Sequence, residues 1–471
     1  MTTPRNTTMT NRLLSVRRGL AVASAAAVLA IAASCHGAVT DALLVANDPD
    51  IINPENVNTA DGATALRLGA LGRLRGITAG GESTWLFGGL LADEWTTSST
   101  FIQNDEADER SFKSPPDNSS IQGQYRSINQ VRTSANQAIA AMKIFLPAQS
   151  ANIGELYMAR GVAELTLAQN FCNGTPLSDG SGATLIYGAP ITNDAMFRVA
   201  IASFDSATSV ASGTDALSVS VFRAAKIGKA RAQLGINDYA GAAASVAGIP
   251  TSYTYDITFS LTGGTNTLWG QPFSSRRYNV GDTIVTTSAG KFSVKPSLPF
   301  GSAGDPRLPV SNSPAGTKSQ DGSVISYTTP LYDQLTSTSL FNGIDARLIE
   351  AENQLKLGDV TGWLNTLNTL RRAPPKLGTV QPAVMADLAD PGTTATRVDL
   401  LFREKAFWTF SRGQRLSDMR RLVRQYGRAE NTIYPTGTHY RGVPYGDWLS
   451  LPVTNQEDNN PNFKGCLDKK A

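Results

Sequence analysis

The chain has 471 residues, with 42 Lys and Arg against 39 Asp and Glu, two His and three Cys. A charge this close to balance carries no broad field for nucleic acid or anionic lipid, and so few His and Cys leave little material for a zinc site. The length fits two or three ordinary domains, or one large helical body with insertions.

Residues 1–34 contain Arg5, Arg12, Arg17 and Arg18, no acid, and an almost wholly apolar run from Leu20 to Ala33. This is the pattern of an export signal. At about 1.5 Å per residue the run spans roughly 21 Å, short of the ~30 Å hydrocarbon core, so it reads as a cleaved segment and not as a span. Ala32-Ala33-Ser34-Cys35 resembles the lipobox of bacterial lipoproteins, with Ala32 where Leu is commoner. Lipidation at Cys35 is the expectation; the alternative is an ordinary secretory signal that leaves Cys35 a thiol. Acyl chains gain roughly 0.8 kcal/mol per buried methylene, so three would hold the protein to a membrane essentially permanently. The leader takes its four arginines with it, turning 42 basic residues into 38 against 39 acids, a formal charge of −1.

Residues 35–60 read as a lipidated tether with turn-forming Asp48-Pro49 and Asn53-Pro54. Ala63, Leu66, Ala70 and Leu74 then recur at helical spacing, with Asp61 as the expected N-cap. A second helix is expected over Trp85–Glu94, followed by a polar surface loop over Thr96–Ser120 that ends on Pro115-Pro116 and Asn118. Helical periodicity returns over Ile121–Phe145 and Ile153–Phe171, the latter rich in small residues suited to close packing.

Phe222–Val246 places Ala225, Gly228, Ala230, Leu234, Gly235, Tyr239 and Ala242 as tetratricopeptide helix pairs do, and Ala346–Leu370 repeats the idea around Gly358-Asp359. Each alone is equally an ordinary helical hairpin. Between them, Ile249–Leu340 is rich in Ser, Thr, Gly and Pro, with short β-type runs at Tyr253–Phe259 and Thr283–Thr287. Insertions of this kind on a rigid scaffold usually carry function. One more long helix is expected over Val398–Tyr426, then a packing tail over Ile433–Ala471.

Several of these segments resemble the SusD/RagB family. They are the lipobox leading into Asp48-Pro49-Asp50-Ile51-Ile52-Asn53-Pro54, and Ala92-Asp93-Glu94-Trp95. A third is Arg347-Leu348-Ile349-Glu350-Ala351-Glu352 with Gly358-Asp359 and Leu367-Asn368-Thr369-Leu370-Arg371-Arg372. The fourth is Arg403-Glu404-Lys405-Ala406-Phe407 through Gly413-Gln414-Arg415-Leu416-Ser417-Asp418-Met419-Arg420-Arg421, echoed by Leu451-Pro452-Val453 and Asn460-Pro461-Asn462. The chain departs from the family pattern near Phe407 and at Arg412, where acids are usual, which puts local ion pairs in doubt. Arg415, Asp418, Arg420 and Arg421 fall about one helical turn apart and read as cross-braces between helices.

The resemblance implies a mostly α, tetratricopeptide-like helical-repeat scaffold with a long irregular insertion. It divides into an N-terminal helical part (61–248), a ligand-lobe insertion (249–340) and a C-terminal helical part with its tail (341–471). It implies no cofactor, an outer-membrane lipid anchor facing the cell surface, and a SusC-like TonB-dependent transporter as partner. An oligosaccharide or another small nutrient is the implied ligand. Rival readings are a peptide or other non-glycan nutrient binder, a helical-repeat scaffold of envelope assembly, and a surface hydrolase.

The hydrolase reading has little to stand on. His36 and His439 are the only histidines, and there is no Gly-x-Ser-x-Gly elbow, Walker loop or Gly-x-Gly-x-x-Gly after a strand. Asp105, Glu106, Asp108 and Glu109 are the nearest carboxylate pairing and are expected to form a solvated acidic loop. Binding a sugar instead needs ring faces beside hydrogen-bonding groups, and the candidates are Trp95, Phe101, Asn266, Trp269, Arg276 and Tyr278. Trp85, Phe87 and Trp408 sit in helical runs and are expected in the core, whereas Trp95 and Trp269 stand open to either reading. Cys172 and Cys466 are left to bridge or to remain buried thiols; both readings stand.

Overall fold

The computed structural model describes residues 58–113 and 116–470. The export signal, Cys35, His36, the Asp48–Pro54 stretch and Pro115 of the Pro115-Pro116 pair lie outside the described residues.

Helix α1 (Ala60–Gly76) begins at Thr59, whose side chain accepts from the Gly62 N–H at 3.0 Å. Asp61 is therefore not the cap but sits inside the first turn, where its charge suits the helix dipole. α2 (Thr84–Leu91), capped by Ser83, is buried along its whole length. The segment expected as a surface loop instead holds strand β1 (Trp95–Thr97) and helix α3 (Ile102–Asp108). Its acids are not solvated as expected: Asp108 accepts the Thr97 N–H at 2.7 Å and Glu106 accepts from Asn118 Nδ2 at 2.8 Å, both buried. A polar run reads as a loop only if its polar atoms end in water, and these end on one another.

α4 (Ser119–Phe145), α5 (Ser150–Asn170), α6 (Asn193–Val210), α7 (Ala216–Gly235) and α8 (Tyr239–Val246) follow, with a short β2 (Thr175–Pro176) and β3 (Pro190–Ile191) pair between α5 and α6. α6 has no counterpart in the sequence reading. α5 packs on α4, α6 and α7, and α7 on α6 and α8, the nearest-neighbour stacking of a tetratricopeptide-like scaffold. Small residues make this possible. Phe204 of α6 is wholly buried between Gly161 of α5 and Gly228 of α7, and a Cβ on Gly161 would lie 2.9–3.1 Å from three of its ring carbons.

β4 (Thr254–Ile257) pairs antiparallel with β8 (Thr338–Asn342), closing off the irregular stretch. Inside it lie a three-residue helix α9 (Thr267–Trp269) running into one π turn (Gly270–Ser274), strand β5 (Tyr278–Val280), and the hairpin of β6 (Ile284–Thr287) and β7 (Gly290–Ser293). β5 pairs antiparallel with β1 in the register Trp95–Val280, Thr96–Asn279, Thr97–Tyr278.

α10 (Gly343–Lys356) starts from an Asn342/Asp345 capping box and packs on α11 (Val360–Arg372) and α8. The single helix expected over Val398–Tyr426 is two, α12 (Thr394–Trp408) and α13 (Arg415–Tyr426). Ser411 and Gly413 take φ of 57° and 67° between them, and a Cβ on Gly413 would collide with the Trp85 indole. Periodicity carries across this break because both helices present apolar residues to the interior, so the pattern alone does not show it.

Ion pairs do form where the departures from the family pattern put them in doubt. Buried Glu404 accepts from Arg307 at 2.7 and 3.0 Å and from Arg371 at 3.0 Å, and Arg412 grips Asp345 with two bonds of 2.9 and 2.8 Å. Glu352 takes Lys405 at 3.0 Å together with Arg421, and Asp418 takes Lys405 at 2.8 Å and Arg421 at 3.3 Å. Burial alone would raise the Glu352 carboxyl; the Arg421 and Lys405 charges outweigh it and hold the group well below the usual range. Cys172 and Cys466 form a disulfide with Cα atoms 6.0 Å apart, pinning the tail to the end of α5. Among the described residues no helix is long and apolar enough to cross a membrane.

Candidate functional site

Period-two alternation in the β1/β5 ladder sends Trp95, Thr97, Tyr278 and Val280 to one side and Thr96 and Asn279 to the other. Trp95 is thereby buried against Phe410, with ring centroids 5.0 Å apart, and Tyr278 is buried with its hydroxyl donating to Glu82 at 2.6 Å. Asn266 is also interior: its side chain caps α9 and donates to Thr336 O at 2.8 Å and Thr338 Oγ1 at 3.0 Å. All three are closed off by burial, although Trp95 Nε1 finds no hydrogen-bond partner among the described residues. All three lie near loops in the sequence, but pairing and capping draw them inside.

The other candidates are at the surface. Phe101, the N-cap position of α3, is 43% exposed and lies under the Arg277 guanidinium at 4.5 Å. Trp269 stacks on Phe273, centroids 5.8 Å apart and rings 25° from parallel, and Phe273 is 52% exposed. Arg276 is exposed and held at φ 55°, its carbonyl accepting from Ser98 Oγ and Gln320 N–H, both at 2.9 Å.

Beside these rings runs a cleft of about 290 Å³ between the 77–83 turn, the start of α2 and the first turns of α4. Four hydrogen bonds tie the two together. Gln103 donates to Ser119 at 3.2 Å and Asn104 to Glu82 at 3.4 Å, so the turn that carries Phe101 touches both walls. Tyr278 reaches Glu82, and Thr267 N–H donates to Ala79 O at 2.8 Å, seating α9 and Trp269 on the 77–83 turn.

The cleft is lined by Glu82, Ser83, Thr84, Ser119, Gly123 and Gln124, among others. Gln124 is 7% exposed, yet among the described residues neither its Oε1 nor its Nε2 has a hydrogen-bond partner, and Thr84 Oγ1 is likewise unpartnered. An unsatisfied buried polar atom costs roughly 1–3 kcal/mol, so these atoms favour a guest that both donates and accepts. Burial, aided by the neighbouring Glu82, raises the Tyr278 phenol well above its ordinary value, so it stays a donor. The sequence reading missed Glu82, Thr84 and Gln124; the only signal was the small polar run Ser119, Ser120, Gly123 and Ser127, spaced to share a helix face.

Behind this face lies a buried titratable cluster. Burial first of all pushes Glu94 up to about 8 and Asp105 up to about 6, and raises Asp93 well above its ordinary range. The expectation that Asp105 belongs to a solvated acidic loop is therefore overturned. His439 is interior, its Nε2 3.2 Å from Asp108. Among the described residues, no group of three or more His, Cys, Asp or Glu is placed to hold a metal.

No protein-family model and no curated protein matches the sequence. Solved structures do match in shape. A SusD superfamily protein from Bacteroides vulgatus aligns over 88% of this chain and 100% of its own, with a TM-score of 0.60 at 15% identity. A SusD/RagB family protein from Bacteroides thetaiotaomicron aligns over 85% and 94%, with a TM-score of 0.59 at 14% identity. A SusD-like carbohydrate binding protein from Bacteroides fragilis aligns over 86% and 99%, with a TM-score of 0.56 at 14% identity. The likeness extends over most of both chains, and the fold of this protein is that of the SusD/RagB superfamily.

Proposed function

We propose that this chain is a nutrient-binding lipoprotein of the outer membrane that takes a saccharide on the face built by Phe101, Trp269 and Phe273 and the adjoining Gln124 cleft. The observation that carries the reading is the unpartnered Gln124 amide beside exposed rings. A sugar's C–H face can lie on an aromatic ring while its hydroxyls both donate and accept. The carbohydrate-binding description of structural neighbours supports the same ligand class.

In this reading residues 249–340 form the ligand lobe between helical parts 61–248 and 341–471. Cys35 bears the lipid anchor, and a SusC-like TonB-dependent transporter receives the ligand. The chain binds and delivers and does not catalyse. Glycan-array binding followed by titration tests it: wild type binds at least one neutral oligosaccharide, and Phe101→Ala and Gln124→Ala each weaken it by about tenfold, the worth of one stacking or hydrogen-bonding contact. Absence of any glycan binding, with capture of peptides in its place, moves the assignment to a peptide binder. Pull-down from detergent extracts, comparing wild type with Cys35→Ala, tests the transporter: a β-barrel partner that accompanies only the wild type is the expected result.

A further inference from the structure

On the other side of the β1/β5 ladder, the side to which Asn279 and Thr96 point, lies a second cleft of about 260 Å³. Asn279 Oδ1 accepts the Tyr327 N–H at 3.0 Å, which fixes the orientation of the amide. Among the described residues its Nδ2 is then left without a partner, on a residue only 4% exposed. Asp282 receives Thr283 N–H at 2.6 Å and Ser302 Oγ at 2.8 Å, both on Oδ1, so among the described residues Oδ2 receives no donor. Lys291, on β7, also lines the cleft and makes no ion pair among the described residues. The rest of the lining sets an aliphatic patch of Val285, Val310 and Val324 beside the hydroxyls of Thr96, Thr286 and Tyr327.

Among the described residues the cleft thus holds a free carboxylate oxygen, a free ammonium and an orphaned amide donor beside an apolar patch. The two charges do not satisfy each other. A neutral sugar could hydrogen-bond to both groups but would neutralise neither charge, whereas a zwitterion matches both. We infer that this cleft binds a small zwitterion, an α-amino acid with an aliphatic side chain. Its ammonium sits on Asp282 Oδ2, its carboxylate takes Lys291 Nζ and Asn279 Nδ2, and its side chain lies on Val285, Val310 and Val324.

The test is calorimetric titration of the full chain with L-valine, N-acetyl-L-valine and L-valinamide. L-valine binds saturably; the acetylated analogue, which lacks the ammonium, and the amide, which lacks the carboxylate, each bind about tenfold more weakly or worse, since each loses a charge-assisted bond. Asp282→Asn weakens L-valine by a similar factor and removes the penalty on N-acetyl-L-valine. Absence of saturable L-valine binding, or equal binding of all three compounds by the wild type, overturns the inference. The wild-type ligand series decides the matter even if the variant does not fold. Titrating oligosaccharide on the same sample keeps this outcome separate from that of the aromatic face.

Discussion

Replacing Phe204 by alanine tests whether the helical scaffold is held by close approach of glycines to a ring. The ring is wholly buried, with Gly161 on one side, Gly228 on the other and Phe341 at its edge, centroids 6.2 Å apart. Neither glycine has a side chain to swing into the void, so the full cavity cost applies, about 3–5 kcal/mol. At an m-value above about 3 kcal/mol/M, as suits a chain of this size, the urea midpoint falls by roughly 1 M. Gly161→Ala alone overpacks the same spot and costs about 1–3 kcal/mol. In the Phe204→Ala background the added methyl enters space already vacated and brings the better helix propensity of alanine, about 1 kcal/mol, so there it stabilises. Midpoints of the wild type, both single variants and the double variant close the cycle. A loss below about 1 kcal/mol for Phe204→Ala, or the same cost for Gly161→Ala in both backgrounds, would refute the wedge.

Three further outcomes follow from the same contacts. Burial raises Glu94 from 4.5 to about 8, so the folded state holds a proton the unfolded state releases across that window. This contribution is complete below about pH 4.5 and lost as pH rises through 8. Glu94→Gln, with its Oε1 still placed to accept the Ser411 N–H, flattens that fall in pH-dependent melting curves and leaves the variant the more stable at pH 9. Arg412→Met strips Asp345 of a bidentate partner in the interior and costs about 3–5 kcal/mol by denaturant titration. Replacing Cys172 and Cys466 together by alanine opens a crosslink spanning 294 residues and lowers stability by about 2–5 kcal/mol, and the reduced wild type matches the variant.

The helical scaffold was legible in the sequence because its signals are local. Small residues at helical spacing in Ile153–Phe171 and Phe222–Val246, and the Gly358-Asp359 turn, stand where the structure has α5, α7 with α8, and the α10/α11 junction. The break at Ser411–Gly413 was not legible, because a left-handed turn between two inward-facing helices preserves the apolar pattern. The site was legible only in part. Phe101 and Trp269 reach the surface, but whether a loop aromatic faces out depends on pairings across more than 170 residues, such as Thr97 with Tyr278. The burial of Asp105 and Asp108 depends likewise on Arg441 and His439 arriving from the far end of the chain. Gln124 shows itself only once its neighbours are known to leave it unpartnered.

Arg420 gives the molecule a sense of completeness. Its Nη1 donates to the carbonyls of Ala168, Gln169 and Phe171 at 3.2, 3.0 and 3.0 Å, serving the end of α5 from about 250 residues downstream. A chain made from its N-terminus forms α5 long before Arg420 exists. Until then those carbonyls have only water, and the apolar surface that α13 will cover stays open. A truncated product is thus recognisable by an unfinished helix in its first half, and proteolysis can sort whole molecules from partial ones without inspecting the missing end.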